Sequence, residues 1–212
     1  GALMLVANFT VTAAMSGWAA MSYFRVPKEI AALATVGLVL LIGAVNYFGP
    51  KHTGSGALWL AVPMVAVVIF IIAFSVPHLS RTNLEAPPPL FRTNWLAFVG
   101  MILALSGVEA IANLTGVMKL DPGATMEQPR VGRTSALAIG VVAVEVVLGT
   151  ALLGWAMLSL PKSAEMEAVL RHRWEDMLSV LGEHYAGLAL GPGFGTAFGI
   201  AVGIVVGLLL VS

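Results

Sequence analysis

The chain contains no cysteine among its 212 residues. This absence excludes disulfide bonds, thiolate nucleophiles and cysteine-based metal sites. Charged residues are also scarce, at 10% of the chain, whereas a soluble domain has about 25%. The 11 basic residues balance the 11 acidic ones, so no basic surface indicates nucleic acid as a partner.

Apolar residues take the place of the missing charge. They make up 58% of the chain and the mean hydropathy is +0.93, against about 45–50% apolar residues in a soluble domain. This composition predicts an all-α, multi-pass membrane protein of the cell membrane. The chain opens on an apolar run that lacks the charged start of a signal peptide. Both ends fall at apolar segments, and we therefore expect an internal fragment of a longer protein.

Six apolar segments are long enough to cross a bilayer as helices, which takes about 20 residues each. Proline and glycine separate them, at Pro27, at Gly49-Pro50, at the run Pro87-Pro88-Pro89 and at Gly191-Pro192. We predict one transmembrane domain, with spans at about residues 3–24, 29–48, 56–76, 95–118, 134–160 and 192–212.

The segment at about residues 163–186 differs from the six spans. Its apolar side chains recur at steps of three and four residues, which is typical of an amphipathic helix. They are Met166, Val169, Leu170, Trp174, Met177, Leu178, Leu181 and Tyr185. We expect this helix on the membrane surface or over the mouth of the protein. His172 and His184 are expected to be solvated, and they are a weak signal for a metal.

The fourth span carries polar residues at its centre, namely Ser106, Gly107, Glu109 and Asn113. A carboxylate there costs about 2.5–3.5 kcal/mol or more, so such acids are usually functional. Glycine weakens a helix by about 1 kcal/mol relative to alanine, and broken helices hold substrates or ions in transporters. We interpret residues 106–109 as such a break. The alternative is that the glycine is a packing contact and the acid pairs with a neighbouring helix.

Glu145 is a second acid at the centre of a predicted span. Its neighbours, VVAVEVVLGTALL, contain no adjacent break. A protonated carboxyl that is buried by packing is therefore favoured over a coupling site.

Loop charges do not assign the topology. The loops after spans one, three and five hold seven basic residues, against four in the two loops on the other face. The first face would be cytoplasmic by this count, but it also carries seven acids.

Two motifs resemble the amino acid-polyamine-organocation (APC) superfamily of permeases. The first is SGVEAIANLTGVM followed by EQPRVGRTSALAI, which is similar to the sixth helix of the family and its following loop. The second is Asn46-Tyr47-Phe48-Gly49-Pro50-Lys51, which is similar to the family's segment between helices four and five. The resemblance implies a LeuT-like fold of two inverted five-helix repeats, of which this chain would cover helices three to eight. It also implies that the first face is extracellular and that a loop helix precedes helix eight.

The same resemblance implies roles for single residues. Ser106, Gly107 and Val108 would be the unwound backbone that faces the substrate, and Glu109 would be an acid that senses protons. Leu103 stands where some exchangers of the family have a gating aromatic residue, so the gating and the selectivity of this protein stay open.

The function implied is a secondary active transporter, coupled to protons, that moves amino acids or related small solutes by alternating access. One alternative is a potassium importer of the same superfamily, because carbonyl and carboxylate oxygens at the break could hold a monovalent cation. Another is a membrane sensor or scaffold without flux. We expect no enzyme and no cofactor, because the sequence shows no nucleophile-base pair, phosphate loop or metal cluster.

Overall fold

A computed structural model describes residues 2–47, 53–80, 89–104, 120–125 and 127–212. Within these ranges the chain is helical and contains no β-strand. The helices are α1 (Ala2–Tyr23), α2 (Lys28–Tyr47), α3 (Thr53–Ser75), α4 (Phe91–Ala104), α5 (Gly132–Leu158), α6 (Ala164–Arg173), α7 (Met177–Leu190) and α8 (Pro192–Val211). Short 3-10 turns follow α3 at Val76–His78 and α6 at Trp174–Asp176.

Three helical stretches in the described ranges are long and apolar enough to cross a membrane: Trp59–His78, Gly132–Leu158 and Pro192–Val211. They lie at the third, fifth and sixth predicted spans. The first and second predicted spans lie on α1 and α2, which are helical over nearly the same residues. The predicted span at 95–118 begins within α4, and its second half lies outside the described residues.

The chain divides into two compact units. Unit 1 comprises Gly1–Leu79 and Ser159–Ser212, and unit 2 comprises Ser80–Leu158. Unit 1 therefore contains α1 to α3 and α6 to α8, and unit 2 contains α4 and α5.

Unit 1 is built around the pair α7 and α8, which are joined at Gly191. This glycine has φ +98°, a conformation that favours glycine because it has no Cβ. On α8, a Cβ at Gly195 would meet the Glu183 carbonyl oxygen, and one at Gly199 would lie 2.8 Å from the Cβ of Glu183. The backbones of the two helices can approach this closely because glycine lines the contact.

Two further contacts attach α1, α2 and α3 to this pair. Ala20, Met21 and Ala31 form a buried cluster against which Leu210 and Val211 pack. Phe74 of α3 meets Phe198 of α8 edge to face, with ring centroids 5.9 Å apart, an arrangement that aromatic pairs prefer.

Unit 2 shows less packing in its described part. Trp155 of α5 donates a hydrogen bond from Nε1 to the carbonyl oxygen of Ser80 at 2.9 Å. Along α4, the exposed rings of Phe91 and Trp95 stack with centroids 5.9 Å apart. The Trp95 and Phe98 rings are tilted to each other, with centroids 5.7 Å apart.

The segment predicted as an amphipathic helix at about residues 163–186 is helical over nearly all of that range, in α6 and α7, with the 3-10 turn at Trp174–Asp176 between them. Ser163 caps α6 by accepting a hydrogen bond from the Met166 N–H at 3.2 Å, but the helix is interrupted at Trp174–Asp176 before α7 continues to Leu190. The 3-10 turn places Asp176 inside unit 1, where only 4% of it is exposed. We attribute the interruption to the pairing of this carboxylate with Arg173.

The position predicted for this segment, on the membrane surface or over the mouth of the protein, stays a prediction, and one face of α7 is buried within unit 1. Val180, Leu181 and Tyr185 are buried, because α7 packs against α8 and α3. His184 is correspondingly half-buried rather than solvated, whereas His172 is exposed as expected.

Candidate functional site

Most of the residues predicted to form the site lie outside the described ranges. These are Ser106, Gly107, Val108, Glu109 and Asn113. Leu103 lies in α4. The interpretation of residues 106–109 as a helix break therefore stays a prediction.

Glu145 lies near the middle of α5 and is exposed. The side chains one turn away on either side, Val141 and Leu148, are exposed as well. The burial by packing that we expected for Glu145 is thus not found within the described part of the chain. The reason is that the apolar stretch of α5 has no buried positions there in which a carboxyl could be enclosed.

The most highly connected polar group in the described residues is a charge cluster of Arg25, Arg173, Asp176 and Glu183 in unit 1. Arg173 donates to Asp176 Oδ2 from Nη2 at 2.7 Å and from Nε at 3.0 Å. Its Nη1 donates to Glu183 Oε2 at 2.8 Å. Arg25 Nη2 approaches the same Glu183 oxygen at 3.5 Å. The cluster therefore ties the turn between α1 and α2 to α6, α7 and the 3-10 turn between them.

Electrostatics favour the charged form of Arg173. Burial alone would lower the pKa of Arg173, but the hydrogen bonds and charges of Asp176 and Glu183 raise it overall. Asp176 is nearly enclosed, and a buried carboxylate is stable only when a cation and hydrogen bonds compensate its charge. Arg173 supplies both.

Arg25 reaches the cluster from an unusual backbone conformation. It has φ +56°, in the left-handed region that side chains other than glycine enter at a cost of about 1–2 kcal/mol. The turn closes α1 by a hydrogen bond from the Val26 N–H to the Met21 carbonyl at 2.9 Å. A glycine normally occupies this position. Arg25 therefore stands where the backbone conformation favours glycine.

Glu175 lies in the 3-10 turn between α6 and α7, and it attaches this turn to α1. Its carboxylate accepts a hydrogen bond from Ser22 Oγ at 2.8 Å and one from Trp18 Nε1 at 3.2 Å. The Ser22 hydroxyl is the main reason that the pKa of Glu175 is lowered, and Trp18 and the charge of Lys28 act in the same direction. Glu175 is therefore an anion at neutral pH.

A cavity of about 310 Å³ lies between the turn that joins α1 to α2 and the segment at residues 172–176. We call it the turn cavity. Its apolar wall includes Trp18, Val26, Pro27 and Ala31. Its polar lining comprises Ser22, Arg25, Lys28, His172, Arg173, Glu175 and Asp176. The volume is at the lower end of that of small-molecule sites, about 300–1,000 Å³.

Two histidines flank a buried tyrosine where α3 ends against α7. The rings of His78 and Tyr185 stack with centroids 6.1 Å apart, and His184 meets Tyr185 edge to face at 5.0 Å. Burial lowers the pKa of His184, and repulsion from His78 lowers it further. His184 is therefore neutral at pH 7, and protonation would oppose this packing.

In unit 2, Asp121 caps the start of α5. Its carboxylate accepts hydrogen bonds from the N–H groups of Arg133 and Thr134, at 3.0 and 2.9 Å, and from the Thr134 hydroxyl at 2.9 Å. These are donors that the first turn of a helix leaves unpaired. The Arg133 and Thr134 N–H groups are the largest causes of the lowered pKa of Asp121. A cavity of about 260 Å³ beside it is lined in part by Arg130 and Arg133.

Sequence reasoning missed the charge cluster and the turn cavity. The spacing of Arg173 and Asp176, three residues apart, was an available signal of pairing. The contacts of the neighbouring Glu175 with α1 join residues more than a hundred positions apart, and no local pattern indicates them.

The described residues contain no group of three histidine, aspartate or glutamate side chains placed to hold a metal ion. By its fold the chain is an all-helical protein over its described ranges, with three helices there that could span a membrane. No family model, curated protein or solved structure matches it.

Proposed function

We propose that the protein is a secondary active transporter of the cell membrane, which couples protons to the movement of amino acids or related small solutes. The observation that carries the proposal is Glu109, an acid that follows Ser106-Gly107 at the centre of an apolar segment. An acid at that depth is functional by default, and the adjacent glycine suits a broken helix that could hold a substrate.

The sequence motifs are the second support. The likeness of residues 106–118, 127–139 and 46–51 to the APC superfamily implies a LeuT-like fold for this chain, with α1 as helix three and α8 as helix eight. In two five-helix repeats, helices three and eight occupy equivalent positions. α1 and α8 pack together, since a Cβ at Gly203 of α8 would lie 2.9 Å from the Tyr23 carbonyl oxygen.

The interrupted helix before α8 agrees with the resemblance. The family has an amphipathic loop helix between helices seven and eight, and α6 and α7 lie between α5 and α8. The contacts of the charge cluster and of Glu175 attach this loop to the first face of unit 1. A loop placed there can follow the movements of the helices on which it rests.

The mechanism we propose is alternating access. Unwound backbone at Ser106, Gly107 and Val108 would offer N–H and carbonyl groups to the substrate, and protonation of Glu109 would favour one of the two states of the helix bundle. The coupling energy is the difference in the pKa of Glu109 between those states. Leu103 and Asn113 would lie beside the substrate, and Glu145 is the second candidate for a proton carrier.

The test is uptake into proteoliposomes. Because the resemblance places the chain at helices three to eight, the complete protein is used, with an inward proton gradient, a panel of amino acids and potassium. Glu109→Gln is compared with Glu145→Gln, which removes the second candidate acid from a predicted span. We expect the inward proton gradient to increase amino acid uptake, and Glu109→Gln to abolish this dependence.

Three results would contradict the proposal in different ways. Potassium uptake without amino acid flux would support the importer of the same superfamily. Binding without any uptake would support a sensor or scaffold. Unchanged coupling in Glu109→Gln together with its loss in Glu145→Gln would transfer the role to Glu145.

A further inference from the structure

The turn cavity lies outside the site that we propose for transport. We infer that it binds the phosphate of an anionic phospholipid headgroup, with Lys28, Arg25 and His172 as the groups that face the lipid. The inference depends on unit 1 alone, and it holds or fails independently of the proposed function.

The first step is that the acids around the cavity are already engaged. Glu175 holds the Trp18 indole and the Ser22 hydroxyl. Asp176 is held by two nitrogens of Arg173, and the remaining edge of Arg173 is bonded to Glu183. The most buried charged side chains of the cavity, Arg173 and Asp176, therefore already bind groups within the protein.

The second step is that two cations with available donors, Lys28 and Arg25, and the imidazole of His172 face the cavity. Lys28 lines the cavity and is exposed. Its charge acts on Glu175 across the cavity, but its ammonium donors make no hydrogen bond or close ion pair within the described residues. His172 likewise lines it and is exposed. Arg25 is 3.5 Å from Glu183, an oxygen that Arg173 already binds at 2.8 Å, and 47% of its side chain is exposed. The free donors therefore favour an anionic oxygen ligand.

The third step is the conformation of Arg25. Its φ of +56° is one that an arginine enters only when the surroundings hold it there. The contact to Glu183 is long for a charge-assisted hydrogen bond, which is usually about 2.7–2.9 Å. An anion in the cavity would give this guanidinium the second partner that its planar group of donors can accept.

The fourth step selects lipid over a dissolved anion. The cavity lies at the turn between α1 and α2, two apolar helices of 22 and 20 residues that coincide with the first and second predicted spans. A turn between two such predicted spans is expected at the level of the headgroups. Trp18 lines it, and tryptophan is enriched at this level of the membrane. Val26, Pro27 and Ala31 form an apolar wall against which a glycerol backbone can pack while its phosphate meets the cations. Basic pockets between membrane helices recognise headgroups in this way.

The experiment measures lipid binding to the complete protein in detergent. Binding of phosphatidylglycerol, of phosphatidylcholine and of inorganic phosphate is followed by native mass spectrometry and by the thermal unfolding midpoint. The variants are Lys28→Gln, Lys28→Arg and, as matched control, Arg171→Gln. Arg171 is a neighbouring exposed base that pairs with Glu167 at 2.6 Å and does not line the cavity.

We expect phosphatidylglycerol to bind more tightly than phosphatidylcholine, and Lys28→Gln to weaken its binding about fivefold, as one base near a membrane surface usually does. Lys28→Arg should retain the affinity, and Arg171→Gln should leave it unchanged. Equal binding in Lys28→Gln and Arg171→Gln would overturn the site. Equal binding of the two lipids would overturn the choice of an anionic headgroup. Displacement of the lipid by inorganic phosphate at the same concentration would overturn the lipid as the source of the anion.

Discussion

Helices α5 and α8 are both long and apolar enough to cross a membrane, yet they contribute differently to the structure. On α8, the glycines at positions 195, 199, 203 and 207 recur every four residues and are all buried. On α5, a Cβ added to the glycine at position 140, 149 or 154 would have no neighbouring atom within 4 Å among the described residues. Apolarity identifies both helices as candidate spans, but the spacing of small residues indicates which one is packed closely.

The two units also differ in the sequence separation of their polar contacts. In unit 1, Glu175 connects the loop to α1 across more than a hundred residues of sequence, and the charge cluster reaches the turn that follows α1. In unit 2, Asp121 bonds to Arg133 and Thr134, which are only 12 and 13 residues away, and the bond from Trp155 to Ser80 joins residues 75 positions apart. Unit 1 therefore depends on contacts between distant segments, whereas the described contact of Asp121 supports one end of a single helix.

Glycine to alanine substitutions test this difference with the largest expected effect. Gly195→Ala places a Cβ 2.6 Å from Gly187 Cα and against the Glu183 carbonyl oxygen. Because backbone rather than a movable side chain lies on the other side, we expect a loss of about 3 kcal/mol, the upper part of the usual range for overpacking. The thermal unfolding midpoint should fall by about 6 °C or more.

Gly149→Ala on α5 is the matched control. Its new Cβ meets no neighbouring atom within 4 Å in the described part of the chain, and alanine is favoured over glycine within a helix by about 1 kcal/mol. Its unfolding midpoint should be unchanged or higher. Equal destabilisation by the two substitutions would show that the glycine spacing does not distinguish the helices.

Loss of Arg173 from the charge cluster should cause the next largest decrease in stability. Arg173→Met keeps the apolar part of the side chain but removes the hydrogen bonds to Asp176 and Glu183. Removing one partner of a buried pair costs about 3–5 kcal/mol. We expect about 2 kcal/mol here, because a quarter of the Arg173 side chain is exposed and solvent screens its charge. Thermal unfolding in detergent measures the loss.

The control is Arg171→Met, which breaks an exposed pair with Glu167 and should cost no more than about 0.5 kcal/mol. Adding Asp176→Asn to Arg173→Met should recover part of the stability, because the buried charge is then absent. If the double variant is less stable than Arg173→Met alone, the cost does not come from an uncompensated carboxylate.

The sequence predicted the helices better than the contacts between them. Length, apolarity and the positions of proline and glycine depend on neighbouring residues, and they placed helices at the predicted spans wherever the structure describes most of the span. The four-residue spacing of glycine in α8 was also visible in the sequence, and it would have predicted the packed face.

The interruption at Trp174–Asp176 could not be predicted in this way. The apolar periodicity continues across it, and the helix breaks where Asp176 turns into unit 1 to meet Arg173. Such a turn depends on the tertiary environment of one carboxylate. The predicted site at Ser106, Gly107, Val108 and Glu109 rests on the cost of an acid in a membrane, and it stays a prediction.

A change of pH should affect the two units differently. Of the three predicted effects on stability, we expect this one to be the smallest. Burial lowers the pKa of His184 below its ordinary value of 6.5, so the unfolded chain takes up a proton first as the pH falls. The stability that neutral His184 allows is therefore present above about pH 6.5 and declines below it. Hydrogen bonds lower the pKa of Asp121 below its ordinary value of 3.8. Its contribution is therefore present above that pH and is lost only as the pH falls further, toward the folded-state pKa.

Amide hydrogen exchange, corrected for the intrinsic effect of pH, measures both regions in one sample. Between pH 7 and pH 5 we expect protection to fall in α7 while the first turn of α5 keeps its protection. His184→Gln should remove the decline in α7, and Asp121→Ala should expose the first turn of α5 at every pH. A decline in α7 that persists in His184→Gln would assign the pH dependence to another group. In that case the packing of His78 and Tyr185 would not depend on a neutral His184.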